Sequence, residues 1–138
     1  METVYTAEVT ATGGRRGHIV SSDGVLDMPL SLPEGLGGEK GKSNPEQLFA
    51  AGYAACFQSA LLLVAGKQHI RLNPESTVKA HVDLLKSEDG KYGLGVKLEV
   101  HLQGLDKEKA EELVKEAHEV CPYSVGTRGN INVELEVV

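Results

Sequence analysis

Two cysteines, Cys56 and Cys121, have the widest chemical scope in this sequence. They are too few for a disulfide framework and too far apart for a CxxC redox pair or a paired zinc knuckle. Cys56 sits in the middle of the apolar run Ser43–Lys67, SNPEQLFAAGYAACFQSALLLVAGK. A nucleophilic cysteine acts as its thiolate, and a mid-helix thiol gains nothing from the helix dipole, so it would need a neighbouring cation. Arg15 and Arg16, inside the glycine turn GGRRG, are the nearest supply. Plainer readings exist for both. An unpaired cysteine on an apolar helix is usually a small hydrophobe, and arginines between glycines usually decorate a solvated hairpin tip. The residue types alone leave these alternatives open.

Glu46 lies in the first turn of the same run, where an acid complements the helix dipole. If it also orients an arginine, the helical rise has a consequence: ten residues separate Glu46 from Cys56 by about 15 Å. One helix cannot bring both to one point. Two antiparallel copies crossing near Ala51 would place Glu46 of one subunit beside Cys56 of the other. Cys121 lies on the apolar stripe of a later helix, where core packing accounts for it. Its place near a helix C-terminus disfavours the thiolate and suits a resolving thiol better than an attacking one. His118 and Cys121, three residues apart, could face a metal together, but no third ligand is spaced to join them, and no metal or bound cofactor is expected.

The elements that must position these groups are legible in the hydropathy pattern. Tyr5–Ala11 alternates as a half-buried strand; GGRRG breaks it, and a strand through His18–Ser21 reaches the hairpin signal Asp23-Gly24 before a third strand, Val25–Leu30. The Gly-rich stretch Leu32–Asn44 is expected as a loop feeding the central helix rather than a domain boundary. Asn44 is its N-cap, Pro45 its first residue, Gln47 the partner in a variant capping box, and Gly66-Lys67 its end. Leu48–Ala65 contains only Tyr53, Gln58 and Ser59 as polar side chains, so the helix should have no solvent face. A membrane span is the rival reading; the run is short, Ala-rich and interrupted. Val78–Leu84 and Leu94–Leu102 alternate as a hairpin around SEDGK. Asp106 caps a second helix with Ala110, Leu113, Val114, Ala117 and Cys121 on one stripe; Pro122 ends it, and Ile131–Val137 is a last strand.

The order β-β-β-α-β-β-α-β predicts one α+β domain over residues 1–138, with antiparallel sheets packed around the buried central helix. One further helix and one sheet can cover two sides of that helix, so a second copy of the chain is expected to cover the rest, with the small residues Ala50, Ala51, Gly52, Ala54 and Ala55 at the crossing. The chain has 138 residues with 41% hydrophobic and 25% charged, and 14 basic against 20 acidic residues, a formal net charge of −6. That balance argues against a nucleic-acid surface. No segment has the features of a secretory leader, so a cytoplasmic location with reduced thiols is expected.

Five segments in order, ATGGRRG, SSDGVLD, NPEQLFAAGYAACF, VCPYS and TRGNI, resemble the organic hydroperoxide resistance (Ohr) branch of the Ohr/OsmC family nearly end to end. The resemblance implies an intertwined homodimer with sites at the interface, and a thiol peroxidase for oxidative stress defence. In it a Cys56 thiolate attacks an organic hydroperoxide, alkyl or fatty acyl, releasing an alcohol and leaving a sulfenic acid. Cys121 then condenses with the sulfenic acid to a disulfide. Arg15, directly after the paired glycines, would hold the thiolate, and Glu46 would fix the arginine. The implied reductant is a dihydrolipoyl group on a lipoylated carrier protein. Phe49, Phe57 and Leu61 suggest an apolar pocket that prefers such substrates to hydrogen peroxide. A dimeric module binding an apolar ligand, and a general thiol–disulfide oxidoreductase, are the competing classes.

Overall fold

The computed structural model describes all residues, Met1–Val138. Two compact units emerge from the packing, Met1–Leu48 and Phe49–Val138, and the central helix starts in the first and continues through the second.

In the first unit, β1 (Val9–Thr12), β2 (His18–Ser21) and β3 (Asp27–Pro29) form an antiparallel sheet in that order. The β1–β2 register pairs Val9 with Ser21 and Thr12 with His18. The turn between them has Gly13 at φ 81° and leaves no space at Gly17, where a Cβ would lie 1.7 Å from the Thr12 carbonyl oxygen. β1 is shorter than the expected strand and exposed at every position. Alternation supplies an apolar face, but only Ile19 and Leu30 among the unit's large hydrophobics are buried. The third strand is also short, because Val25 and Leu26 are used by the hairpin loop: Asp23 Oδ1 accepts from the Val25 N–H and Ser21 Oγ from the Leu26 N–H. The stretch before the helix contains a 3₁₀ turn at Glu34–Leu36.

Helix α1 (Pro45–Lys67) is capped as its sequence predicts: Asn44 Oδ1 accepts from the Gln47 N–H at 2.8 Å. Gln47 does not return the bond to Asn44; its side-chain oxygen accepts from Ser43 Oγ instead. At the other end the left-handed residue is His69 (φ 58°), not Gly66, and the Ile70 N–H reaches back to the Ala65 carbonyl.

In the second unit β4 (Thr77–Lys86) and β5 (Tyr92–His101) form the expected hairpin, and β6 (Val133–Val137) lies parallel to β5, pairing Val96 with Val133. Among the strands pairing is antiparallel everywhere but here, since two helices carry the chain back between β5 and β6, a connection that returns it in the same direction; outside the strands, Leu30 and Ser43 form an isolated parallel bridge. The first of them, α2 (Lys107–Val120), has Asp106 accepting from the Lys109 N–H and its apolar stripe fully buried. The second, α3 (Pro122–Thr127), is unexpected: Pro122 ends α2 and at once opens a new helix, where its missing N–H leaves nothing unsatisfied.

The core joins Tyr53, Phe57 and Leu61 of α1 to Val96, Leu98 and Val100 of β5 and Leu113 and Ala117 of α2. It covers one side of α1 only. Leu62 and Leu63 are 56% and 53% exposed, and Ala51 and Ala55 are open as well. The expected all-round burial is therefore not met within one chain. By length and composition alone α1 is apolar enough to cross a membrane, but its packed side belongs to this core.

Candidate functional site

The glycine turn and the start of α1 bring the first pair of candidate residues together. Arg15 grips Glu46 with both arms of its guanidinium, Nη1 to Oε2 at 2.9 Å and Nη2 to Oε1 at 2.7 Å. The glutamate side chain is 15% exposed and the arginine 41%. The charge-assisted bonds hold the Glu46 carboxyl below its ordinary range, against partial burial, which alone would raise it. Arg16 makes no such bond; it lines a small cavity of about 140 Å³ with Glu39 and Lys42. The two arginines are adjacent in the 3₁₀ turn Gly14–Arg16, yet they have different partners.

The second pair is the cysteines. Both are free thiols; Cys121 is fully buried at the α2–α3 junction and Cys56 is half-buried on α1. They are near enough for Cys121 to act on the Cys56 thiol. Burial pushes that thiol above its ordinary range, Cys121 pushes it further, and the Tyr123 backbone pulls it down. The last contact comes from the first turn of α3, the helix not foreseen in the sequence. The balance still favours the neutral thiol, so these residues by themselves do not make Cys56 a nucleophile at neutral pH. Ten residues of continuous helix, about 15 Å, separate it from Glu46.

The surroundings of the thiols differ in part from expectation. Phe57 and Leu61 are wholly buried in the core, while Phe49 meets Tyr123 edge-on with ring centroids 5.9 Å apart, and Tyr123 lies 5.4 Å from Tyr53. Gly52 serves this cluster: a Cβ there would stand 2.3 Å from the Tyr123 hydroxyl, so its small size accommodates a residue of its own chain. A cleft of about 710 Å³ elsewhere on this unit, between Leu61, Leu62 and the His69–Pro74 segment, is lined by neither cysteine. His118 does not turn to a metal; its Nδ1 is 2.8 Å from Ser124 Oγ, and no group of three His, Cys, Asp or Glu side chains gathers anywhere. Tyr53, Tyr123 and Ser124 escaped the sequence reading. The spacing of Tyr53 three residues before Cys56, and a proline able to start a helix, were the available signals.

Residues 37–136 match the family model described as OsmC-like protein. Over 135 residues the chain is 53% identical to the organic hydroperoxide resistance protein OhrB of Bacillus subtilis, covering 97% of this chain and 98% of that protein. The chain belongs to the Ohr/OsmC family. The crystal structure of OhrB superposes with a TM-score of 0.90 at 52% identity, covering 99% of this chain and all of that one. An organic hydroperoxide resistance protein from Legionella pneumophila gives 0.91 at 48% identity, with 99% and 98% covered. The α+β fold built on a central helix is thus that of the Ohr/OsmC family.

Proposed function

We propose that the chain is a cysteine-based peroxidase that reduces organic hydroperoxides, alkyl or fatty acyl, to alcohols. The observation that carries this is the pair of neighbouring free thiols, one half-buried and one wholly buried. The Cys56 thiolate attacks the distal oxygen of the hydroperoxide; the O–O bond breaks, the alcohol leaves with a proton, and the sulfur becomes a sulfenic acid. Cys121 then displaces water from that sulfur and closes a disulfide. A dithiol must return two electrons, and a dihydrolipoyl group on a carrier protein in the cytoplasm is the proposed donor. Arg15 lowers the thiolate's energy and polarises the peroxide, and Glu46 orients Arg15.

The site is proposed to be complete only in a homodimer. Burial raises the Cys56 thiol, so a cation is required, and 15 Å of helix keeps Glu46 of the same chain away. Ala51, Ala55, Leu62 and Leu63 on α1 and Val9 and Val20 in the first sheet are exposed apolar groups that a second copy would bury.

Mass spectrometry after one equivalent of cumene hydroperoxide tests the reading. The expected product is a Cys56–Cys121 disulfide, lighter by two hydrogens, which does not form in Cys56→Ser. An unreacted dithiol would leave only a binding role. Faster consumption of cumene hydroperoxide than of hydrogen peroxide is the matching substrate test.

A further inference from the structure

Ser124 is wholly buried, and its single hydroxyl joins three helices. Its Oγ lies 2.8 Å from the Tyr53 hydroxyl on α1 and 2.8 Å from His118 Nδ1 on α2, while the residue itself belongs to α3. Each member stands three residues from a cysteine: Tyr53 before Cys56, His118 before Cys121, and Ser124 after Cys121. Arg128 reinforces the corner, with Nη2 donating to the His118 carbonyl at 2.6 Å and its backbone N–H to the Ser124 carbonyl at 3.1 Å. Cys121 is the hinge residue enclosed by these bonds. Its N–H closes α2 on Ala117 and its carbonyl accepts from Val125 in α3.

The protons in this chain can be arranged in two ways. If Tyr53 donates to Ser124 and Ser124 donates to His118, every buried proton has an acceptor, and the imidazole is neutral with its own proton on Nε2. If His118 donates instead, Ser124 Oγ either donates to Tyr53, which strands the buried phenol proton, or accepts from both neighbours, which strands its own proton. Burial and the nearby Arg128 charge both favour neutral His118, in agreement with the first arrangement.

We propose that the Tyr53–Ser124–His118 chain positions Cys121 for disulfide formation, clamping the α2–α3 junction onto α1 so that the second thiol meets the Cys56 sulfenic acid. The inference rests on the dithiol peroxidase reading and assigns these residues to its second step. The first step does not depend on the clamp's hydrogen bonds, because Tyr123, whose backbone favours the Cys56 thiolate, is anchored by Phe49, by the space at Gly52 and by the Tyr53 ring, all of which remain in Ser124→Ala and Tyr53→Phe.

The test separates the two steps by rapid mixing with cumene hydroperoxide, following sulfenic acid formation and then disulfide closure by quenched mass spectrometry. Ser124→Ala and Tyr53→Phe are expected to form the sulfenic acid within about twofold of the wild-type rate and to close the disulfide at least about tenfold more slowly. Under excess hydroperoxide both should therefore accumulate Cys56 sulfinic acid. The double variant should be no slower than either single one, since all act through one network. His118→Asn, which keeps an acceptor near the Nδ1 position, should recover much of the closure rate that His118→Ala loses. Unchanged closure in Ser124→Ala and Tyr53→Phe, or equal slowing of both steps, would overturn the assignment; if Ser124→Ala does not fold, Tyr53→Phe alone decides. A wild-type protein that forms neither sulfenic acid nor disulfide would sink the peroxidase reading itself, and the inference with it.

Discussion

Arg15 and Arg16 are identical in type and adjacent in sequence, yet only Arg15 has a bidentate acid partner. A guanidinium held in a fork is pre-organised, and pre-organised charge is what stabilises a developing anion. Arg15→Ala is therefore expected to slow sulfenic acid formation by about 10²–10³-fold, as for loss of one preorganised donor, with Arg16→Ala nearly silent in the same peroxidase assay. Burial raises the Cys56 thiol and the partner's Arg15 is proposed to offset it, so thiolate absorbance should titrate at lower pH in the wild type than in Arg15→Ala. Equal effects of the two arginine variants would break the assignment. Glu46 has its own pH signature. Its carboxyl is held low when folded, so the unfolded chain binds more protons as pH falls, and the ion pair's contribution is full above the ordinary carboxylate pKa and lost through the folded one. The stability difference between wild type and Glu46→Gln, no more than about 1 kcal/mol for so exposed a pair, should accordingly shrink on acidification from neutral pH to below 4 in urea titrations.

Elements differ in how far their sequence specifies them. The starts of α1 and α2 were readable because Asn44 and Asp106 satisfy local N–H groups, a requirement independent of the rest of the fold. The hairpin of β4 and β5 was readable from alternation alone. Three features were not. The parallel placement of β6 depends on where two intervening helices deliver the chain, which no local pattern encodes. Pro122 has the same chemistry whether it stops one helix or starts another, so α3 stayed hidden, and with it the Tyr123 backbone at the thiol. Gly52 looked like part of a small-residue crossing surface, whereas the space it leaves is filled by a tyrosine seventy-one residues away. Among the site residues, an arginine partner for Glu46 was an open possibility from the residue types, and the choice of Arg15 over Arg16 came from family resemblance. Gly52→Ala is expected to destabilise the fold by about 1–3 kcal/mol through that contact, with partial recovery on adding Tyr123→Phe, measured by chemical denaturation. An additive double variant would mean that the contact is not the cause.

At the scale of the whole molecule, the chain leaves unburied what a stable fold normally buries. Leu62 and Leu63 on α1 and Val9 and Val20 in the first sheet are all exposed by more than a third. A three-stranded sheet in which Ile19 is the one buried hydrophobic lacks the apolar face that independent stability in water requires. The proposed second copy would meet this need and the chemical one together, since antiparallel α1 helices would carry the Arg15–Glu46 pair of one subunit to the Cys56 of the other. Mass in solution should then be about twice the 14.7 kDa of one chain. A sharper test is mixed dimers co-expressed from two tagged chains, one Cys56→Ser and the other Arg15→Ala. Each homodimer lacks one half of every site and should be inactive. In the mixed dimer the intact Cys56 belongs to the chain without Arg15, and it faces the intact Arg15 of its partner, so one site per dimer is whole. Recovery of about half the wild-type rate is expected on that count of sites. If the arginine instead served the cysteine of its own chain, neither site would be whole and the mixed dimer would be as inactive as its parents.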